Sequence, residues 1–134
     1  MSKFIILSLV FITLISCKKE DPTPELPQIA ARIEGTYKLS KLQIISGRDV
    51  TSTATGSATI TAKDATTASI NYKLTIGNNT QEITTNFQIG QNGTDYTISD
   101  SNGSVGVVQN NVLKMNITFL TISSSTNYVI EFTK

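Results

Sequence analysis

From Gly35 to Lys134 apolar side chains recur at every second position, and this alternation leaves the chain few ways to fold. Ala68, Ile70, Tyr72, Leu74 and Ile76 share one parity, while Ser69, Asn71, Lys73 and Thr75 share the other. Ile83, Thr85, Phe87 and Ile89 alternate with Glu82, Thr84, Asn86 and Gln88, and Leu113, Met115, Ile117 and Phe119 with Lys114, Asn116 and Thr118. Tyr128, Ile130 and Phe132 oppose Asn127, Val129, Glu131 and Thr133. Shorter stretches behave alike: Ala58, Ile60 and Ala62; Tyr96 and Ile98; Val105 with Val107. One apolar face and one wet face is the pattern of antiparallel strands. The 20 Thr and 14 Ser residues among 134 point the same way, because Thr suits a pleated surface and is a mediocre helix former.

The first strand, Gly35–Ile45, breaks parity once. Tyr37 and Leu39 lie on one side, Leu42 and Ile44 on the other, so a bulge or bend near Ser40-Lys41 is expected. Turn-prone clusters separate the segments: Lys63–Thr66, Gly77–Asn79, Gln91–Gly93, Asp100–Gly103, Gln109–Asn111 and Ser123–Ser125. A longer polar loop, Ser46–Gly56, follows the first strand, and Ile29 and Ile33 have the spacing of a short helical turn that would cover one end. Eight antiparallel strands in about 100 residues form either a closed barrel or a two-sheet sandwich. Sequential hairpins favour an all-β, eight-stranded, up-and-down antiparallel barrel; an immunoglobulin-like β-sandwich is the alternative.

The N-terminus reads as an address. Lys3 precedes the apolar run Phe4–Ile15, which would span about 18 Å as a helix, well short of a hydrocarbon core of about 30 Å. The run is therefore expected to be the core of a signal peptide. It ends in Leu14-Ile15-Ser16-Cys17, which resembles the lipobox of bacterial lipoproteins. The resemblance implies cleavage before Cys17, diacylglycerol on its thiol and two or three palmitate-type acyl chains in a membrane. Lys18 stands where Asp would favour inner-membrane retention in the Gram-negative sorting rule, which implies the outer membrane. The next stretch, Lys18–Pro27, holds all three prolines mixed with charges and reads as an extended spacer. It also looks like the charged export signal of many Bacteroidota lipoproteins, so periplasmic and surface-exposed positions both stay open. The expected organisation is a lipoprotein signal peptide at 1–16, a lipidated spacer at 17–28 and a β domain at 29–134.

Gly35-Thr36-Tyr37 resembles the Gly-x-aromatic opening of lipocalin-like strands, and Gly35–Leu39 looks like the start of small lipocalin-like lipoproteins of Bacteroidota. That resemblance implies a short helix, a long first strand and a long first loop, in that order. Tyr37 stands where Trp is usual, and neither Arg32 nor Arg48 lies in a later strand to pack on it.

Chemistry is sparse. The chain has no His and a single Cys, which removes the commonest general base and metal ligand. Lys38, Lys63, Lys73 and Lys114 fall on outward parity or in turns, and the facing of Lys41 is undecided. Glu82, Asp95 and Glu131 point outward, while Asp49, Asp64 and Asp100 belong to loops, so no carboxylate pair converges. No enzyme activity, metal site or cofactor is expected. Without residues 1–16 the chain carries ten basic and ten acidic side chains and no basic patch, so nucleic acid is not an expected partner. The aromatic residues Tyr37, Tyr72, Phe87, Tyr96, Phe119 and Tyr128 sit mostly on inward parity and are candidates to line a cavity for a small hydrophobic ligand. A filled core is the favoured reading of the same residues, because a domain of about 100 residues without a disulfide needs most of its large apolar groups to stabilise itself. The expected function is a non-enzymatic outer-membrane lipoprotein with a lipocalin-like domain, with a small hydrophobic ligand as its partner only if the barrel encloses a cavity. The alternative is a β-sandwich accessory or adhesive domain that contacts an envelope protein or glycan.

Overall fold

The computed structural model describes residues 28–121 and 123–134. The expected signal peptide, Cys17 and nearly all of the spacer lie outside the described residues. Eight strands follow one another: β1 Gly35–Ile44, β2 Ala54–Ala62, β3 Thr67–Ile76, β4 Asn79–Asn92, β5 Asp95–Asp100, β6 Gly103–Gln109, β7 Val112–Leu120 and β8 Ser125–Thr133. Each pairs antiparallel with its neighbours in sequence, and β8 pairs with β1, so the sheet closes on itself. This is the up-and-down barrel expected from the hairpin spacing, and closure sets the sandwich aside.

Closure depends on β1 serving two partners. Its residues 35–38 pair with β2 and its residues 38–44 with β8. The register slips between Leu39 and Lys41, with Ser40 as the extra residue, where the parity break predicts a bulge. A serine suits the position because its hydroxyl donates to the Glu131 carbonyl (3.0 Å) and accepts from the Thr133 hydroxyl (2.9 Å). Past the bulge Lys41 pairs with Glu131 on the outer face, which settles its facing. Beyond the paired stretch, Ser46–Thr53 folds back along β1 in place of β2. Ile44 N–H donates to the Arg48 carbonyl and Val50 N–H to the Leu42 carbonyl, each at 2.9 Å.

The inward columns fill the barrel. Leu42, Ile70, Leu74, Ile98, Leu113, Ile130 and Phe132 are fully buried, with small Ala58 and Ala68 between larger neighbours. Phe119 and Tyr128 pack edge to face with ring centres 6.3 Å apart. The outer columns are wet and cross-linked by short polar side chains, such as Thr75 with Thr80 (2.8 Å) and Asn71 with Thr84 (2.8 Å). This explains the Thr and Asn richness. A membrane-spanning barrel places its apolar band outside, the reverse of this wall. Among the described residues no helix is long and apolar enough to cross a membrane.

Parity differs from expectation in β6. Ile98 pairs with Gly106 and Ser99 with Ser104, so Val105 is an extra residue and the strand switches faces there. Val108, not Val107, is buried opposite Leu113, while Val107 pairs with Lys114 on the outer wall. Gly106 is obligatory for this packing: a Cβ there would lie 2.6 Å from the Lys114 carbonyl.

A 3-10 turn, Ala30–Ile33, plugs the end where β1 begins, as the Ile29/Ile33 spacing predicts. Ala30 and Ile33 are buried, and Ala30 N–H donates to the Ala65 carbonyl at 3.0 Å. The Tyr37 hydroxyl donates to the Ile33 carbonyl at 2.7 Å, tying plug to barrel. Gly35 (φ 140°) lets Lys134 cross closely above it, and the Lys134 ammonium sits 5.7 Å over the Tyr37 ring. Burial raises the Tyr37 phenol above its ordinary value. A group with a raised folded-state value stabilises the fold below its unfolded pKa, about 10 for Tyr, and that contribution is lost as pH rises further. Hydrogen bonds act oppositely on two carboxylates. The Thr51 hydroxyl holds Asp49 low and the Thr66 N–H holds Asp64 low, so their contributions persist above about pH 4 and are lost on acidification. With no His in the chain, the urea midpoint is expected to stay flat from about pH 5 to 9 and to fall on both sides. Tyr37→Phe should cost about 1–3 kcal/mol, because the Ile33 carbonyl loses its donor, and should blunt the alkaline fall. Equilibrium unfolding from about pH 3 to 11 checks both.

Candidate functional site

The strands differ greatly in length, and this opens the barrel wall on one side. β4 runs 14 residues, whereas β5 has 6 and β6 has 7. β5 covers β4 only from Gln88 to Asn92, and β6 covers β7 only from Val112 to Met115. The β5–β6 hairpin therefore stops short. It leaves residues 79–87 of β4 and 116–120 of β7 facing each other with no strand between them, at the end opposite the plug.

A single side chain spans the gap. Gln81, on the inward parity of β4, donates its amide to the Thr118 carbonyl (3.1 Å) and accepts from Leu120 N–H (2.9 Å). The same amide reaches the Tyr72 hydroxyl at 3.3 Å. A primary amide carries both donor and acceptor, so it can stand in for a missing strand's peptide group. Burial raises the Tyr72 phenol, and the Gln81 contact opposes this in part. Gln81→Glu is expected to weaken the clasp, since an ionised carboxylate can accept from Leu120 but cannot donate to Thr118. The expected loss is about 1–2 kcal/mol, together with faster amide exchange at Leu120; urea unfolding and hydrogen exchange measure them.

Beside the clasp lies a notch of about 370 Å³, walled by Tyr72, Ile83, Thr85 and Phe87 on one side and by Met115, Ile117, Thr118 and Leu120 on the other. Asp100 and Val105 close its foot. Tyr72, Phe87, Met115 and Ile117 belong to the buried core, so the notch brings solvent to the edge of that core. Thr85 is exposed although it sits on inward parity, and Leu120 is 64% exposed at the lip. The notch size is within the range of small-molecule pockets.

The six candidate aromatics do not share one cavity. Tyr72 and Phe87 line the notch. Tyr37 and Tyr96 lie at the plug end, beside a polar hollow of about 280 Å³ with Arg32 and Asn110. Phe119 and Tyr128 are packed against each other in the core.

No family model matches this chain. No curated protein matches it either. Among solved structures it is similar to a de novo designed fluorescence-activating β-barrel, at 14% identity and TM-score 0.48, with 80% of this chain and 97% of that one covered. It is also similar to EF1p2_mFAP2b bound to DFHBI, at 11% identity and TM-score 0.46, with 80% and 98% covered.

Two features of the site escape the alternation argument. Gln81 and Thr85 are polar residues on an otherwise apolar column, and that anomaly is the signal that marks the breach. Asp100 ends β5 opposite Gly103, in the same column as Tyr96 and Ile98, and is thus a strand residue and not part of a loop. Its Oδ1 accepts from Asn102 N–H at 2.7 Å, which fixes the carboxylate at the foot of the notch. Among the described residues no polar or charged side chain is buried, and no three His, Cys, Asp or Glu side chains cluster as a metal site.

Proposed function

We propose that this chain is a non-enzymatic lipoprotein of a bacterial outer membrane, lipocalin-like in kind, that holds a small hydrophobic molecule in the notch between β4 and β7. The observation that carries the binding reading is the missing wall, which exposes the edge of the apolar core beside Tyr72, Phe87 and Ile117. An apolar molecule seated there would cover about the surface that the absent strand leaves wet, at roughly 25 cal/mol per Å² of apolar area removed from water. The anchor rests on Leu14-Ile15-Ser16-Cys17, and the envelope location on that motif with Lys18. The non-enzymatic reading is supported by the notch's single carboxylate and by a sequence without His. Residue 28 joins the barrel at the plug, so a spacer of residues 18–28 would tether the plug end and leave the notch at the far end. In polyproline II form, at about 3.1 Å per residue, that spacer would reach roughly 34 Å.

Titrating 1-hexanol into the lipidated protein in nanodiscs, with isoleucine methyls labelled, tests the site. The Ile83 and Ile117 methyl resonances are expected to move in a saturable way, while those of Ile33 at the plug and Ile130 in the core stay put. Uniform movement, or none, contradicts the reading.

A further inference from the structure

The notch has one charged lining residue, Asp100, and this bears on what it would select. Asp100 is half-buried at the end of β5, and its Oδ1 is held by Asn102 N–H at 2.7 Å, which leaves the second carboxylate oxygen available. Among the described residues the ion pair found is Lys114–Glu131 on the outer wall, and no cation stands within salt-bridge distance of Asp100. An adjoining groove along β4 and β5 shares Thr85, Phe87 and Asp100, so the carboxylate sits where two concavities meet, beside apolar side chains.

Building on the binding reading above, we infer that the notch selects organic cations: a compact apolar body against Phe87 and Ile117, with a primary ammonium group on Asp100. Three features carry this. An unpaired carboxylate at the edge of an apolar surface favours a ligand that brings its own counter-charge, because a carboxylate ligand would meet like charge and a neutral one would leave the site's charge unanswered. Thr85 lines both concavities together with Asp100, and its hydroxyl is a second acceptor type for an ammonium there. The notch volume, about 370 Å³, limits the body to a small ring system or a short alkyl chain.

The test uses hexylamine, 1-hexanol and hexanoate at neutral pH on the lipidated full chain in zwitterionic nanodiscs, with the Ile83 and Ile117 methyl shifts as readout. Hexylamine is expected to bind about three- to tenfold tighter than hexanol, with hexanoate the weakest. Asp100→Asn, whose amide oxygen can still accept from Asn102, should bring hexylamine down to the level at which the same variant binds hexanol. Raising the salt concentration should narrow the difference in the parent protein only. Equal binding of hexylamine and hexanoate, or a preference that survives Asp100→Asn, overturns the cation inference while the notch remains a binding site. If none of the three moves these methyl signals, the binding reading itself fails, and the inference with it.

Discussion

Phe132→Ala is expected to cost about 3–5 kcal/mol, a large part of the roughly 5–15 kcal/mol that stabilises a domain this size. Phe132 has no solvent exposure and lies where the barrel closes, opposite Leu39 of β1 and Leu113 of β7. Removing the ring forfeits its burial and leaves a cavity that three hydrogen-bonded strands cannot collapse into. The bulge at Ser40 is one residue from the Leu39–Phe132 pair, so β1 has little freedom to follow. Urea unfolding should show a midpoint lowered by about a third or more with a similar slope. Phe132→Leu, which keeps most of the volume, should recover the larger part of the loss. A midpoint within a few tenths molar of the parent would mean that the closure does not carry the core.

Cys17→Ala is expected to release the protein from the membrane fraction. Each palmitate-type chain would contribute on the order of 10 kcal/mol of partitioning at about 0.8 kcal/mol per methylene, and the lipobox resemblance implies two or three chains. The apolar run Phe4–Ile15 would reach only about 18 Å, too short to replace them by spanning the bilayer. Partition into detergent and mass spectrometry of the N-terminus check this directly. A variant retained like the parent, or a parent that begins at an unmodified residue, would remove the anchor from the account.

The barrel was legible because closure leaves one face of each strand in water, so the alternation of Leu113–Phe119 or Tyr128–Phe132 is clean. The bulge at Ser40 was legible for the same reason, since an odd step between Leu39 and Leu42 has no other remedy. Val105-Gly106-Val107-Val108 hides its bulge because no polar residue marks the outer face, and either pair of valines could be inward. The notch was partly visible in Gln81 and Thr85, polar residues at inward parity, but its existence depends on which strands the short hairpin separates. That is a property of the closed order, beyond the reach of any one segment. The six aromatics looked equivalent because parity places a side chain inside without saying at which height, and height divides Tyr37 and Tyr96 at the plug from Tyr72 and Phe87 at the notch.

Xenon distinguishes a breached wall from a hollow interior, because the atom reports apolar space without needing a polar partner. In a crystal of the barrel under xenon pressure, the account predicts density between Phe87 and Ile117, beside the Gln81 clasp. Density on the barrel axis among Leu42, Ile70 and Ile130, with the notch empty, would contradict it.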